Sequence, residues 1–193
     1  MKIKALLLVL PALCLVGCNE KKEEVKEYIT CSIEFAKTYD KTTNILSDYY
    51  EKDEGTDIYS LNKAEEIYVR VKSSITNPDV EGTMRVGFSV AVPWADYYES
   101  FDFVSGQSVP GAPMPQPHYN DENVLDYYES VINTRSIDIK KGNTFPLDYV
   151  FVIKSIDEIP DEVPTLSLKV CISAFGSQLI GPPKEETEYY TFR

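Results

Sequence analysis

The chain has 193 residues, of which 43% are hydrophobic, 26% charged and 12% aromatic, a composition typical of a globular domain. Disordered, collagen-like and multi-span membrane proteins are excluded by these values. The formal net charge of −12 makes nucleic-acid binding improbable, because an acidic surface repels phosphate backbones. A single histidine, His118, removes most histidine-based catalysis and most zinc sites.

The first 17 residues have the layout of a signal peptide. Lys2 and Lys4 precede an apolar run over residues 5–16, which is too short to span a membrane as a helix. The run ends in Leu15-Val16-Gly17-Cys18, which resembles the bacterial lipobox. The resemblance implies that Cys18 becomes the first mature residue and carries a diacylglycerol thioether and an N-acyl chain such as palmitate, which anchor the protein. An ordinary secretory signal with a coincidental cysteine is the alternative.

Residues 18–27 form a short charged tether before the domain over residues 28–193. The resemblance to lipoproteins implies a lipid-anchored protein of the cell envelope, in the periplasm or at the surface. Asn19 stands where an aspartate signals retention in the inner membrane, so the outer membrane is favoured. Lys22-Glu23-Glu24 fits a surface-export signal of some bacterial groups, which leaves the side of the membrane open.

The domain is predicted to consist mainly of short strands. Eight segments are predicted as strands: residues 28–35, 67–75, 84–92, 99–104, 131–139, 145–153, 166–172 and 188–192. The clearest of them, such as residues 28–35 and 166–172, alternate apolar and polar residues with period two, whereas the latter part of residues 145–153 is apolar on both faces, which indicates a central strand. Residues 43–52 fit a short helix or an irregular strand, and residues 121–128 fit one or two helical turns with Asn120 as N-cap. The remaining connections include a proline-rich loop over residues 106–119 and an acidic loop over residues 157–164.

This spacing predicts an all-β fold, an antiparallel two-sheet sandwich with one or two short helices. The pattern Val69-x-Val71 leads into Ile75-Thr76-Asn77-Pro78 and then into Val86-x-Phe88-x-Val90-x-Val92. Together with Ile137-Asp138-Ile139-Lys140-Lys141-Gly142 before Phe145, it resembles bacterial immunoglobulin-like accessory domains. The resemblance implies an immunoglobulin-like topology and an accessory role.

Two cysteines remain in the mature domain, because Cys14 leaves with the signal peptide and Cys18 is lipidated. In an oxidising compartment the default prediction is a Cys31–Cys171 disulfide, and two thiols that pack as small apolar groups are the alternative. Cys171 falls on the polar positions of its strand, whereas Cys31 falls on the apolar positions of its own. A bond would therefore need a bulge or a sheet edge.

Tyrosine is the most distinctive residue type, with 14 copies that include four adjacent pairs: Tyr49-Tyr50, Tyr97-Tyr98, Tyr127-Tyr128 and Tyr189-Tyr190. On a strand, one ring of each pair points inward and the other outward. An outward ring beside carboxylates is suited to stacking on a sugar or to holding a cationic partner. The alternative is that tyrosine suits a half-buried β surface.

A partner-binding site is predicted around the proline-rich loop. Its prolines restrict the loop before binding, aromatic side chains supply contact area, and surrounding acids steer a basic protein partner. The predicted contact residues are Trp94, Tyr97, Pro113, Pro115, His118 and Tyr119.

No catalytic residue, cofactor or metal site is predicted. The chain lacks a Gly-x-Ser-x-Gly elbow and a glycine-rich phosphate loop, and its acidic segment at residues 157–162 lacks the EF-hand spacing for calcium. The predicted function is a non-catalytic binding module, either an accessory subunit or an immunity-type protein. A carboxylate-dependent envelope hydrolase is the alternative, because carboxylates are abundant.

Overall fold

The computed structural model describes residues 27–78, 84–93, 95–106, 115–123, 125–137, 139–160, 164–176 and 181–193. Within these ranges the chain forms eleven strands and one short 3-10 helix, Ala95–Tyr97. The strands are β1 Ile29–Asp40, β2 Ile45–Tyr49, β3 Ile58–Leu61, β4 Glu66–Thr76, β5 Met84–Pro93, β6 Tyr98–Gly106, β7 Pro115–Tyr119, β8 Leu125–Ile137, β9 Thr144–Ser155, β10 Leu166–Phe175 and β11 Lys184–Phe192.

The strands form two sheets. Sheet A has the order β2-β1-β4-β9-β6, and sheet B has the order β3-β11-β10-β5-β8-β7. Neighbouring strands are antiparallel, apart from the parallel pair β3 and β11. The orders β1-β4-β9-β6 and β11-β10-β5 correspond to the ABED and GFC arrangements of immunoglobulin constant domains. The predicted immunoglobulin-like sandwich is therefore confirmed.

Alternate side chains of each central strand fill the space between the sheets. In β4 the inward residues Ile67, Val69, Val71 and Ile75 are fully buried, whereas Lys72 on the other face is exposed. In β10 the buried positions are Leu166, Leu168, Val170, Ile172 and Ala174. Burial of each leucine, isoleucine or valine side chain contributes about 1.5–3 kcal/mol, which explains why the period-two segments became strands.

The structure decides between the two alternatives left open for one segment and corrects the predictions for two others. Residues 45–49 form the strand β2, which agrees with the strand reading of residues 43–52 and excludes the helix. The helical turns predicted over residues 121–128 are wrong. The amide of Glu122 donates to Asn120 Oδ1 over 3.0 Å, which closes a turn instead of a helix, and β8 begins at Leu125. The proline-rich segment, predicted as a loop, includes the strand β7.

The outer face of sheet A is organised by one buried cation. Arg70 donates from Nε to Asp148 Oδ1 over 2.7 Å and from Nη2 to Asp148 Oδ2 over 2.6 Å. Its Nη1 also donates to the carbonyl of Asn44 in the β1–β2 turn over 3.1 Å. This fork matches the carboxylate geometry and holds the hairpin against the sheet, where Leu46 packs with Val150.

A second buried polar contact joins the two sheets. The hydroxyls of Tyr98, at the start of β6 in sheet A, and Tyr190, in β11 of sheet B, form a hydrogen bond. Both side chains are buried, and burial raises the pKa of each above its usual value, so both stay protonated. The ring of Phe192 packs edge-on against both tyrosine rings.

This contact predicts a non-additive pair of substitutions. Tyr98→Phe leaves the Tyr190 hydroxyl buried without its partner and should lower the free energy of unfolding by about 1–3 kcal/mol. Tyr98→Phe with Tyr190→Phe removes both groups and should recover most of that loss. Urea denaturation measures each variant, and Tyr189→Phe, at an exposed tyrosine, is the control. Additive losses in the double variant would contradict the prediction.

Candidate functional site

The β7 edge of sheet B brings together residues of three neighbouring strands, β5, β8 and β7. In the strand register, His118 of the edge strand β7 lies opposite Tyr127 of β8, and Tyr127 lies opposite Pro93 of β5. We call His118, Tyr119 and Tyr127 the aromatic edge. Two of these residues were predicted as contacts. Tyr127 was missed because it was assigned to a helical turn, although its adjacent-tyrosine pattern marked it.

Two of the three rings of the aromatic edge, those of His118 and Tyr127, are stacked and nearly parallel. The centroids of His118 and Tyr127 are 4.4 Å apart, and the ring planes differ by 3°. Both side chains are half-buried, whereas Tyr119 is 57% exposed. The register shifts between His118 and Tyr119, and such a bulge re-aims the side chain that follows it. The edge therefore presents one rigid stack and one accessible ring.

Prolines shape the backbone of this edge. Pro115 and Pro117 alternate with Gln116 and His118 in β7, which is the outermost strand of sheet B. A proline has no amide hydrogen, so it is confined in sheets to edge strands or to bulges. The proline spacing that indicated an extended loop is thus accommodated by an edge strand.

The surroundings of the aromatic edge are acidic. Four exposed carboxylates lie in the 3-10 helix, in the turn after β7 and at the start of β8: Asp96, Asp121, Glu122 and Asp126. Glu99 in the adjacent β6 forms an ion pair with Lys154 over 2.5 Å. Exposed carboxylates attract cations from a distance set by the ionic strength.

The other predicted contact residues have different positions. Tyr97 is half-buried and packs against the main core, while its carbonyl accepts a hydrogen bond from the amide of Ile156 over 3.1 Å. Its ring therefore contributes to packing as well as to the surface. Pro115 lies in β7, next to the aromatic edge. Trp94, Pro113 and Cys18 lie outside the described residues.

Two of the tyrosine pairs confirm the predicted inward and outward arrangement. Tyr49 is 50% exposed and Tyr50 packs against the core, and Tyr189 is 48% exposed and Tyr190 is fully buried. Exposed tyrosines therefore occur at several places on the domain. The aromatic edge is distinguished by its stacked partner ring and its acidic surroundings, not by exposure alone.

The predicted Cys31–Cys171 disulfide is wrong in this structure, where no bond joins the two cysteines. Cys31 lies on the inner face of β1 in sheet A, packed against the core. Cys171 lies in β10 of sheet B between the buried Val170 and Ile172, so it occupies the outer face. The opposed strand parities visible in the sequence are the physical reason.

The environment of Cys31 predicts that its thiol is alkylated slowly in the folded protein. Burial, with a smaller contribution from Glu186, raises the pKa of this thiol to about 12, and Lys184 opposes the shift. Alkylation of Cys31 at pH 8 should be roughly tenfold or more slower in the folded than in the denatured protein. Because the pKa is raised by folding, this thiol should also lower stability as the pH rises from about 9 towards 12.

Mass spectrometry of peptides after timed alkylation measures this difference. The same protein in denaturant serves as the control, since its thiols are accessible. A Cys31 that reacts at the same rate in the folded and the denatured protein would contradict the buried position.

No metal centre or buried acid is found in the part of the chain that the structure describes. No group of three or more His, Cys, Asp or Glu side chains there is arranged to hold a metal ion. Among the side chains that the structure describes, the buried polar or charged ones are Arg70, Ser73, Asn77 and Ser155, so no carboxylate is among them. Nor does any described helix have the length and apolarity to cross a bilayer.

No protein-family model and no curated protein matches the chain. Several solved structures are similar in part, among them the following three. A mutant C-terminal domain of BspA, the antigen I/II polypeptide of Streptococcus agalactiae, has 10% identity over 84% of this chain and 46% of its own, with a TM-score of 0.44. The C-terminal domain of the Streptococcus pyogenes antigen I/II-family protein AspA has 12% identity over 83% and 46%, with a TM-score of 0.42.

The third is a family 123 glycoside hydrolase from Clostridium perfringens, with 12% identity over 85% of this chain and 27% of its own, and a TM-score of 0.29. The chain thus spans less than half the length of each of these structures. At these TM-scores the similarities carry no inference about function.

Proposed function

We propose that the chain is a lipid-anchored, non-catalytic binding module of the cell envelope, and that its aromatic edge contacts a basic protein partner. The observation that carries the proposal is the parallel His118–Tyr127 stack beside the exposed Tyr119, surrounded by exposed carboxylates. Such a module acts as an accessory subunit of an envelope assembly or as an immunity-type protein that neutralises its partner.

The chemistry of the edge favours arginine and lysine side chains. A guanidinium group stacks on aromatic faces and donates to carboxylates, and the aromatic edge supplies rings and carboxylates side by side. The His118–Tyr127 stack and the ladder of β7 already order these groups, so little rotamer freedom is lost on binding. Exposed acids raise the association rate of a positively charged partner.

The described carboxylates support a non-catalytic role. A carboxylate hydrolase needs one acid with a raised pKa, and burial in an apolar site is the usual way to raise it. None of the carboxylate side chains that the structure describes is buried. A binding function therefore accounts for the acidic surface better than the hydrolase alternative.

A matched pair of tyrosines tests the site. The acyl-free domain is first used to capture its partner from envelope extract at low and at high salt. Tyr119→Ala should weaken binding of that partner about fivefold or more, which is the loss expected when a central contact is truncated. Tyr189→Ala, at a tyrosine of similar exposure on β11, should leave the affinity unchanged. Isothermal titration calorimetry measures both affinities.

Binding should also weaken as salt rises, because the acids contribute by long-range attraction. Equal effects of the two tyrosine substitutions, with unchanged melting temperatures, would reject the aromatic edge as the contact. A captured partner whose affinity does not change with salt concentration would contradict the proposal that the partner is basic.

The lipid anchor is tested separately through Cys18. Cys18→Ser removes the thiol that would carry diacylglycerol and should release the mature domain, or its uncleaved precursor, from the detergent-requiring membrane fraction. The neighbouring tether offers only Val25 as an apolar residue, so nothing there replaces acyl chains. Western blots of fractionated cells measure the distribution. A processed Cys18→Ser protein that still requires detergent would contradict the lipobox assignment.

A further inference from the structure

The described part of the chain enters the sandwich at one end, where β1 begins. The carbonyl of Tyr28 accepts a hydrogen bond from the amide of Thr76 over 2.8 Å, which places the start of β1 beside the end of β4. The amide of Asn77 then donates to the carbonyl of Asn143 over 2.9 Å, so the turn between β8 and β9 lies at this end too. Any anchor at Cys18 therefore attaches to the domain here, and we call this the tether end.

The tether end carries cations and an exposed aromatic ring. Lys140 and Lys141 are exposed in the β8–β9 turn, and Arg85 is exposed at the start of β5. Arg85 lies opposite Phe175, at the end of β10, and the ring of Phe175 is 37% exposed. Lysine and arginine side chains around an exposed aromatic ring are typical of protein surfaces that rest on anionic lipid headgroups.

The aromatic edge lies at the opposite end. The strand β9 runs the length of sheet A in 12 residues, which corresponds to about 36 Å from end to end. In sheet B, β5 starts at the tether end with Met84 and finishes with Pro93, opposite Tyr127. Asp121, Glu122 and Asp126 are exposed at this far end and adjoin the aromatic edge. Near the tether end the exposed acids Glu27 and Glu185 form ion pairs with Lys184 and Lys169.

We propose that the tether end of the domain rests on anionic lipid headgroups, so that the aromatic edge faces away from the bilayer. The proposal rests on the lipid anchor at Cys18 proposed above. The tether itself does not select an orientation, because at full extension residues 18–27 reach about 35 Å. The orientation comes from charge and from Phe175.

The range of the electrostatic interaction explains why one orientation is preferred. At physiological salt the Debye length is about 8 Å, far less than the length of the sandwich. With the tether end down, Arg85, Lys140 and Lys141 lie within range of the headgroups and the distal acids lie outside it. The inverted domain brings Asp121, Glu122 and Asp126 to the same anionic surface, which repels them.

Two tryptophan probes in the mature acylated protein test the orientation. In a Trp94→Phe background, Phe175→Trp places the sole tryptophan at the tether end, and Tyr119→Trp places it at the aromatic edge. Each protein is reconstituted into vesicles of phosphatidylglycerol and phosphatidylcholine that contain headgroup nitroxide lipids. The fluorescence of the tether-end probe should be quenched, and that of the edge probe should remain at its level without nitroxide.

The charges are then tested with a matched control. Lys140→Glu with Lys141→Glu should abolish quenching of the tether-end probe, whereas Lys63→Glu with Arg193→Glu, the same charge change at the far end, should preserve it. Equal quenching of both probes, or quenching that survives reversal of Lys140 and Lys141, would overturn the orientation.

Flotation of the vesicles separates this proposal from the anchor itself. If the acylated protein does not float with vesicles, the anchor proposal fails. The orientation is then still measured after coupling the domain to a maleimide lipid through Cys18, in a Cys31→Ser, Cys171→Ser background. Quenching of the Phe175→Trp probe under those conditions supports the orientation, and its absence overturns it.

Discussion

Burial of alternate side chains between the two sheets is the interaction on which every other feature of this domain depends. The four fully buried inward residues of β4 face those of β10, and a shift of one residue in either strand would turn them to solvent. Register is therefore strongly specified in the central strands. Because only inward positions carry that constraint, outward positions are available for other roles, which Arg70 and His118 illustrate.

Two polar contacts add order that apolar packing does not provide. The hydrogen bond between the hydroxyls of Tyr98 and Tyr190 joins the two sheets and fixes the position of the start of β6 relative to β11. The fork between Arg70 and Asp148 acts on the other side of sheet A, where it also holds the carbonyl of Asn44. Apolar contacts tolerate sliding, whereas hydrogen bonds of this kind have one geometry. The sheets and the β1–β2 hairpin are thereby held in a single relative position.

The strands of the core were predictable because a half-buried strand repeats every second residue. Residues 67–75 and 166–172 show that repeat, and both lie in long strands of the structure. The absence of a disulfide also had a signal in the sequence, since Cys31 and Cys171 occupy opposite parities. In this case strand parity was a better guide than the expectation that paired cysteines in an oxidising compartment form a bond.

The candidate site was only partly predictable, because it depends on strand register, which no local pattern contains. His118 and Tyr127 meet through the register of the edge strand β7 with its neighbour β8, and the first residues of β8 were assigned to a helical turn. Prolines in β7 favoured a loop, and Asn120 favoured a helix that the neighbouring sheet replaced with a turn. The pairing of Arg70 with Asp148 likewise depends on the register of β4 and β9, which no local pattern contains.

The two prolines of β7 have a consequence for how copies of the domain meet. An unprotected edge strand offers its amides to the edge of another molecule, and sheets then extend from copy to copy into aggregates. Pro115 and Pro117 contribute no amide hydrogen, so the outer edge of sheet B is a poor template for such growth. Copies of this domain that meet at the β7 edge therefore do not extend sheet B from one molecule into the next.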